Sequence, residues 1–402
     1  MKYVAVLGYG TVGGGVVDII EKNKKEVAEK AGDEVGVKYI LDLRDFPGDP
    51  YENKVIHDFE IIANDPEVDI VVETMGGTGA AYKFTKTALE KGKSVCTSNK
   101  AVVAAFGPEL LDIAAANNCS YLFEASVGGG IPIIRPLNTC LTAEHIESIT
   151  GILNGTTNYM LTKMDNEGSD YDEVLKEAQA KGYAEANPEA DVCGHDTCRK
   201  IAILSSLYLG KTVNYENIPT EGITSIGKTD FDYARALGRS IKLLGLSKDI
   251  NGKCSAIVAP FMISDACPLY SVKDVFNGIL VHGNMVDDVM FYGRGAGKEA
   301  TASAVVSDII ELAANTGKNI KCPWKNEAAV MADDTEVSFK YFVRAKKEAL
   351  EAVSKEFSAE CTIELENEPE ETGIVIREMT ENEFKTKIEN IGDSIVGFIR
   401  LY

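Results

Sequence analysis

The sequence lacks any apolar stretch that approaches the roughly 20 residues of a membrane-spanning helix. The opening apolar run, Tyr3–Leu7, is too short for a signal peptide and leads at once into glycine-rich sequence. Basic residues are comparatively scarce, because 41 Lys and Arg stand against 62 Asp and Glu, a net charge of −21. We therefore expect neither nucleic acid nor a membrane to be a partner.

The nine cysteines lack the spacing of a disulfide framework, and their odd number leaves one unpaired in any scheme. A reducing, cytoplasmic location is the simplest interpretation. Cys193, His195 and Cys198 are of residue types that bind zinc. A fourth ligand and a second ligand pair at metal spacing are missing, so we expect no zinc site. The other histidines have no partner pattern and are expected to be structural.

The length of 402 residues and the 45% hydrophobic content fit a globular protein of two or three domains. The first third alternates β-branched runs with helical stretches, which is typical of a parallel α/β sheet. Strands are predicted over Tyr3–Gly8, Val37–Leu43, Asp69–Met75, Lys93–Ser98 and Ser120–Ala125. Helices are predicted over Thr11–Asn23, Ala80–Lys91 and Pro108–Asn117. A Rossmann-type nucleotide-binding domain is therefore predicted over residues 1–135.

After Pro136 the pattern changes to mixed strands and helices, which predicts an α+β substrate-binding domain over residues 136–294. A helix over Ala300–Asn315 is expected to return to the first sheet, so residues 295–320 are assigned to the first domain. The segment after Thr335 follows the order βαββαβ, the ferredoxin-like pattern. This segment predicts a third domain over residues 336–402.

A G-x-G-x-x-G motif follows the first predicted strand and opens the first predicted helix, as nucleotide-binding turns do. Glycines let the backbone approach a pyrophosphate, which a helix N-terminus stabilises. The alternative is a glycine-rich turn without a ligand. The motif residues predicted to bind the cofactor are Gly8, Gly10, Thr11, Val12 and Gly13.

The second strand ends near two residues with opposite implications for the cofactor. Asp42 favours NAD, because a carboxylate accepts hydrogen bonds from a free ribose 2′-OH. Arg44 favours NADP, because a guanidinium holds a 2′-phosphate. We lean slightly towards NAD, and both cofactors stay open.

Residues 182–200 bring together, within a dozen positions, the acids Glu185, Asp191 and Asp196. Asp196 and Lys200 are four apart on a predicted helix, so they share one face and can contact. In isolation such a pair is most often an ordinary surface ion pair. Its surroundings favour a functional role.

The same stretch resembles the signature of homoserine dehydrogenases, with Gly182-Tyr183, Asn187-Pro188, Asp191, Gly194, Asp196 and Lys200 at the family's spacing. Four further segments resemble the family in the same order along residues 1–320. They are Asn99–Ala101, Glu124–Pro132, Gly151–Tyr159, and Gly293–Gly297 before Thr301-Ala302.

The resemblance implies an NAD(P)-dependent oxidoreductase that interconverts L-homoserine and L-aspartate 4-semialdehyde in threonine, methionine and isoleucine biosynthesis. It implies that Lys200 is the proton donor and that Asp196 positions it. It also implies that Lys100 lies near the nicotinamide and the substrate oxygen and is a catalytic residue that shares the proton-transfer role. Glu185 and Asp191 would bind the substrate ammonium. Further residues assigned to the substrate are Gly182, Tyr183 and Thr156, and those assigned to the cofactor are Thr74, Ser98, Lys100 and Gly297.

The resemblance also implies a monovalent cation, such as sodium, held by the backbone carbonyls of Glu124, Val127, Gly129 and Ile131, an oxygen set that suits a hard ion. By the same resemblance, a homodimer or a higher homo-oligomer is expected, with residues 136–294 as the catalytic and dimerisation domain. The C-terminal βαββαβ segment resembles ACT-type regulatory domains, but their turn after the first strand is missing at Phe342–Lys347. Effector binding and a role in assembly alone both stay open. We expect no aspartate kinase segment before the nucleotide fold.

Two rivals stay in view. Another Rossmann oxidoreductase acting on a different semialdehyde is one, although none of the cysteines sits in a nucleophile motif of the kind that aspartate-semialdehyde dehydrogenase needs. A catalytically silent dinucleotide sensor is the other.

For the dehydrogenase, a lysine with an ordinary pKa near 10.4 requires about 4.6 kcal/mol to become neutral at pH 7. We therefore expect homoserine oxidation to be favoured at alkaline pH.

Overall fold

The computed structural model describes all residues, 1–402, and they form two compact units. Both units are assembled from several chain segments. The first comprises Met1–His145, Ala202–Tyr215 and Phe291–Ala329, and the second comprises Ile146–Ile201, Glu216–Met290 and Val330–Tyr402. No helix in the structure combines the length and apolar character that crossing a bilayer requires.

The first unit contains a six-stranded sheet whose central strands are almost fully buried. Its strands are β1 (Lys2–Leu7), β2 (Val35–Leu41), β3 (Val55–Ile56), β4 (Val68–Glu73), β5 (Ser94–Thr97) and β6 (Tyr121–Leu122). All neighbours are parallel, in the order β3-β2-β1-β4-β5-β6. This is the strand order of dinucleotide-binding sheets, whose ligands lie where the order reverses, beside β1 and β4. The predicted Rossmann-type sheet is confirmed.

Five helices connect these strands, and one of them begins earlier than predicted. They are α1 (Thr11–Lys22), α2 (Lys24–Ala31), α3 (Phe59–Asn64), α4 (Gly79–Glu90) and α5 (Lys100–Ala116). The prediction of a helix start at Pro108 is wrong, because Asn99 caps the helix by accepting from Ala101 and Val102 N–H. Pro108 removes one helical donor, and the buried packing of Gly107 against the Trp324 ring accompanies it.

The remaining strands follow in chain order. They are β7 (Ile146–Ile152), β8 (Lys211–Thr212), β9 (Arg239–Ile250), β10 (Lys253–Ser264), β11 (Phe276–Gly283), β12 (Asp287–Arg294), β13 (Lys325–Ala328), β14 (Ser338–Lys346), β15 (Ala359–Ile363), β16 (Glu371–Thr380) and β17 (Ile395–Leu401). The remaining helices are α6 (Gly155–Glu167), α7 (Tyr171–Ala180), α8 (Glu189–Val192), α9 (His195–Leu209), α10 (Lys228–Ala236), α11 (Lys298–Ala314), α12 (Leu350–Phe357) and α13 (Glu381–Ile391).

Helix α11 lies in the first unit, where the sequence predicts its return. It packs against α1 so closely that a Cβ added to Gly15 would lie 2.9 Å from the Ala302 Cβ. An ion pair of 2.7 Å between Lys298 Nζ and Asp18 Oδ2 joins the two helices. Helices α1 and α11 are therefore joined by both close packing and an ion pair.

The second unit is built on a nine-stranded sheet in the order β12-β11-β7-β9-β10-β17-β14-β16-β15. The C-terminal segment has the predicted βαββαβ order, and its four strands are neighbours in this sheet. Strand β17 pairs in parallel with β10, with Arg400 opposite Phe261, and one hydrophobic core spans both halves of the sheet. The contacts therefore divide the chain into two units where the sequence predicts three domains, because this strand pairing merges the last segment with the preceding one.

Candidate active site

The glycine motif forms a tight turn from β1 into α1. Gly8 has a φ of +91°, and Gly10 caps the helix that Thr11 and Val12 begin. A Cβ added to Gly13 would lie 1.9 Å from the Gly8 carbonyl oxygen, so only glycine fits there. The turn leaves the N-terminal N–H groups of α1 directed at the carboxyl edge of the sheet, which is the arrangement that binds phosphate groups.

The other predicted cofactor residues also lie in the first unit, and one of them, Thr74, contacts this turn. Thr74 Oγ1 donates to the carbonyls of Leu7 and Gly8, at 3.0 and 2.9 Å, so its hydroxyl supports the turn from beneath. Ser98 is half-buried directly after β5. Gly297, with a φ of +119°, caps α11 and gives the site a second helix N-terminus.

Asp42 and Arg44 are bonded to each other rather than standing as independent alternatives. The Asp42 carboxylate accepts from Tyr9 N–H at 2.8 Å and from Arg44 Nε and Nη2 at 3.0 Å each. The Arg44 hydrogen bonds hold the pKa of the Asp42 carboxyl well below its usual range. His57 Nδ1 also lies 2.7 Å from the Asp42 carbonyl, a contact that its sequence context did not indicate. The pair presents a carboxylate and an exposed guanidinium together at the end of β2.

Sequence reasoning missed Glu73, a buried carboxyl group at the carboxyl end of β4. Thr97 Oγ1 donates to Glu73 Oε2 at 2.6 Å, and Met75 N–H donates to Glu73 Oε1 at 2.7 Å. Burial raises the pKa of Glu73 to about 7. An acid that ends an apolar strand is the signal that marks it in the sequence. Its position gives the nucleotide edge of the sheet a group that titrates near neutrality.

Lys200 is held in a buried position in the second unit. Its Nζ donates to the Leu153 carbonyl and to Asp196 Oδ2, each at 2.7 Å. The lysine is 8% exposed and Asp196 is 4% exposed. The predicted i,i+4 contact on α9 is therefore a buried, charge-assisted hydrogen bond rather than a surface ion pair. The ammonium group is fixed by one carboxylate and one backbone carbonyl.

Asn154 was not predicted as a site residue, yet it joins two that were. Its Nδ2 donates to Asp191 Oδ1 at 2.7 Å and to Asp196 Oδ2 at 2.9 Å. Its Oδ1 accepts from Thr157 N–H and so caps α6. The sequence signal is an asparagine between a strand and a helix, which indicates a cap but not the two acids. The carboxylates of Asp191 and Asp196 therefore share one amide donor.

The predicted substrate residues Thr156, Gly182, Tyr183 and Glu185 lie in one structural neighbourhood. Thr156 Oγ1 donates to the Tyr183 carbonyl at 2.6 Å, which ties the first turn of α6 to the loop after α7. Gly182 turns that loop with a φ of +73°, and the Glu185 side chain is exposed. Lys100, by contrast, lies in the first unit, as the first residue of α5 at the carboxyl end of β5.

The loop predicted to hold a cation is tightly packed in the first unit. The Glu124 carboxylate accepts from the N–H groups of Ile133, Ile134 and Arg135 at 2.7, 2.8 and 2.7 Å. A Cβ added to Gly129 would lie 2.3 Å from the Gly295 carbonyl oxygen, so this approach requires glycine. None of the hydrogen bonds of this buried loop ends on the carbonyls of Val127, Gly129 or Ile131. Buried carbonyls without donors fit an oxygen-binding cation.

Comparisons with known proteins agree with this geometry. Residues 132–310 match the family model described as homoserine dehydrogenase, and residues 8–124 match that described as the homoserine dehydrogenase NAD-binding domain. The chain is 46% identical over 319 residues to a homoserine dehydrogenase of Synechocystis, covering 77% of this chain and 72% of that protein. It is 41% identical to one of Bacillus subtilis, covering 78% and 73%.

Solved structures give the same result. A homoserine dehydrogenase from Thiobacillus denitrificans is 32% identical with a TM-score of 0.92, covering 100% of this chain and 98% of that one. One from S. aureus is 32% identical with a TM-score of 0.82 at the same coverage. A hyperthermophilic archaeal homoserine dehydrogenase in complex with NADPH is 29% identical with a TM-score of 0.66, covering 78% and 98%. The similarity therefore includes both the nucleotide and the lysine sites.

Proposed function

The chain belongs to the homoserine dehydrogenase family, an NAD(P)-dependent oxidoreductase family, and we propose that Lys200 exchanges the proton in its reaction. The enzyme interconverts L-homoserine and L-aspartate 4-semialdehyde, a step that serves threonine, methionine and isoleucine biosynthesis. The observation that carries the proposal is the buried Lys200 ammonium, fixed at 2.7 Å from both the Leu153 carbonyl and Asp196. A proton donor fixed in this way contributes to catalysis only when the substrate oxygen is within its reach.

The chemistry divides between the cofactor and this chain. When bound, NAD(P)H supplies the hydride that adds to C4 of the aldehyde. Lys200 donates the proton to the O4 oxygen and accepts it back during homoserine oxidation, so each turnover transfers one hydride and one proton. Asp196 keeps the ammonium oriented, and Lys100, at the carboxyl edge of the first sheet, assists at the nicotinamide side. The residues proposed to hold the cofactor are Gly8, Gly10, Thr11, Val12, Gly13, Asp42, Arg44, Thr74, Ser98, Lys100 and Gly297.

Recognition of the substrate ammonium is proposed for Glu185 and Asp191, with Gly182, Tyr183 and Thr156 forming the rest of that site. The support is the shared Asn154 donor, which keeps the Asp191 carboxylate next to Asp196. The test compares wild type with Glu185→Gln and Asp191→Asn in homoserine-dependent NAD(P)⁺ reduction. Each variant is expected to raise KM for homoserine about tenfold or more, as loss of a charged hydrogen bond does, with KM for the cofactor unchanged. Equal rates with 4-hydroxybutyrate, which lacks the ammonium, would contradict the proposal.

A monovalent cation is proposed at the carbonyls of Glu124, Val127, Gly129 and Ile131. The support is that no backbone hydrogen bond ends on the carbonyls of Val127, Gly129 or Ile131 in this loop. An ion that binds only the folded chain stabilises it. The melting temperature is therefore expected to rise with sodium or potassium chloride and not with tetramethylammonium chloride at equal ionic strength. Identical melting temperatures in the three salts would contradict the site.

Assembly and location are also proposals. A homodimer is supported by the edge strand β12 and the exposed Met285 and Val286 beside it, since sheet edges pair with other chains. Light scattering of the purified protein tests the dimer, and a monomer mass would contradict it.

A cytoplasmic location is supported by nine cysteines that are all free thiols. An ACT-like character of residues 336–402 is supported by the strand order β17-β14-β16-β15.

A further inference from the structure

A short segment of the second unit, residues 219–223, lies between β10 and residues 187–194. This second stretch, called the Asp191 loop, includes the short helix α8 and carries Asp191. On one side Val258 N–H donates to the Pro219 carbonyl at 2.9 Å, and Glu221 N–H donates to the Val258 carbonyl at 2.7 Å. On the other side Ile223 N–H donates to the Val192 carbonyl at 2.8 Å. The 219–223 segment is therefore hydrogen-bonded to the sheet and to the residue that follows Asp191.

The contact between the 219–223 segment and the Asp191 loop is close and largely backbone against backbone. A Cβ added to Gly222 would lie 2.2 Å from the Val192 carbonyl oxygen and 2.6 Å from the Cys193 Cα. A Cβ added to Gly194, which has a φ of +81°, would lie 3.1 Å from the Thr220 Cγ2. Closely packed interiors transmit small displacements because little flexible structure is available to absorb them. A shift of the segment by a few tenths of an ångström therefore moves the Asp191 loop.

An ion pair with the C-terminal strand adds to the backbone hydrogen bonds that hold the 219–223 segment. The Glu221 carboxylate lies 2.9 and 3.0 Å from Arg400 Nη1. Arg400 is 3% exposed and cannot move easily, because its Nε and Nη2 donate to Glu381 at 2.6 and 3.2 Å. Its guanidinium also lies over the Tyr341 ring at 5.9 Å. Glu221 is the exposed and adjustable partner, with a side chain 43% exposed.

We infer that Glu221 and Arg400 are positioning residues for substrate binding, through which the C-terminal strand holds the Asp191 loop in register with Asn154 and Asp196. The inference rests on the proposed substrate role of Asp191. It assigns the C-terminal segment a part in the active site that needs no effector. Because the ion pair acts on the Asp191 side of the site, it affects homoserine binding rather than proton exchange by Lys200.

The decisive variant is Glu221→Gln, which keeps the shape of the side chain and removes its charge. KM for homoserine is expected to rise about three- to tenfold, the loss of one charge-assisted hydrogen bond, while kcat and KM for the cofactor stay within about twofold. Glu336→Gln is the matched control. The Glu336 carboxylate likewise forms an ion pair between the C-terminal segment and another strand, because it accepts hydrogen bonds from Lys253 Nζ of β10 at 2.8 Å. Its side chain is 34% exposed. The control is expected to leave all three constants unchanged.

A second readout does not depend on activity. Backbone amides of residues 189–194 are expected to exchange with deuterium faster in Glu221→Gln than in wild type or Glu336→Gln, because the loop loses its support. A lower melting temperature with unchanged KM and unchanged exchange would overturn the inference, and so would equal effects in the control. If exchange rises but neither Glu221→Gln nor Asp191→Asn changes KM for homoserine, the positioning role stands and the proposed substrate role of Asp191 fails.

Discussion

Replacing Asn154 by aspartate tests the arrangement of the two active-site acids without disturbing the local fold. Aspartate has the same shape and is as good a helix cap, so the bond from Thr157 N–H is kept. The new carboxylate, however, would stand where the amide now donates to Asp191 and Asp196, at 2.7 and 2.9 Å. The substitution therefore replaces an amide that donates to both acids by a third carboxyl group, at a position that is 6% exposed.

The magnitude follows from these distances. At an effective dielectric constant of about 20, each repulsion between charges about 2.8 Å apart is worth about 6 kcal/mol. Attraction by the Lys200 ammonium, which lies 2.7 Å from Asp196 Oδ2, offsets at most about one of these two repulsions. Keeping an ordinary aspartic acid protonated at pH 8 costs about 5.6 kcal/mol, close to the remaining repulsion, and burial favours the neutral form further. The aspartate introduced at position 154 therefore stays protonated in the folded state between pH 6 and 8, and its pKa lies above that in the unfolded chain.

This protonation determines how the free energy of unfolding of the variant changes with pH. Relative to wild type, the folded variant binds one more proton than its unfolded chain, so its free energy of unfolding increases by about 1.4 kcal/mol for each pH unit that is removed. Between pH 8 and pH 6 the difference between the two proteins should shrink by about 2.7 kcal/mol. Urea unfolding at both pH values measures it. Parallel stabilities, within about 0.5 kcal/mol, would refute the reasoning, because they would mean that no two ionised acids face residue 154.

Four further outcomes are expected. Gly13→Ala, whose Cβ would lie 1.9 Å from the Gly8 oxygen, should abolish the fluorescence change that NAD(P)H binding produces, while the far-ultraviolet circular dichroism stays that of wild type. Arg44→Ala should lower kcat/KM with NADP about 10- to 100-fold more than with NAD, since the guanidinium proposed to hold the 2′-phosphate is lost. A hydrogen bond with Asp288 raises the pKa of His282, so its stabilisation is present below the unfolded pKa near 6.5 and is lost as the pH rises through the folded value. His282→Gln should therefore melt below wild type at pH 6 and equally with it at pH 9. Initial rates of homoserine oxidation should rise from pH 7 to pH 10, since the accepting lysine must be neutral, and a maximum below pH 7 would count against a lysine.

Local sequence patterns predict more of the nucleotide site than of the substrate site. The G-x-G-x-x-G turn, the buried strand β4 and the helix over α11 follow from glycine geometry and hydrophobic periodicity, both of which are local. The i,i+4 spacing of Asp196 and Lys200 likewise predicts their contact on α9, which the structure shows. Such contacts need only the repeat of one helix.

Long-range contacts escape the same reasoning. The sequence around Asn154 predicts a helix cap. Nothing near it in the sequence indicates that its side chain donates to Asp191 and Asp196, which are 37 and 42 residues away. The parallel pairing of β17 with β10 joins positions about 139 residues apart and merges a segment that looks separable. The helix start at Pro108 fails for a related reason, because tertiary packing around Gly107 and the Asn99 cap outweigh the local preference of proline.

The proton-transfer role of Lys200 is tested most directly by kcat of the Lys200→Arg variant with saturating homoserine and cofactor. Arginine keeps the charge that Asp196 requires, so the buried acid retains a partner, but its guanidinium does not release a proton at accessible pH. We predict that kcat falls by about 10²- to 10⁴-fold while the Kd for NAD(P)H is unchanged. A kcat within about tenfold of wild type would contradict the account, because the reaction would then proceed without proton exchange at residue 200.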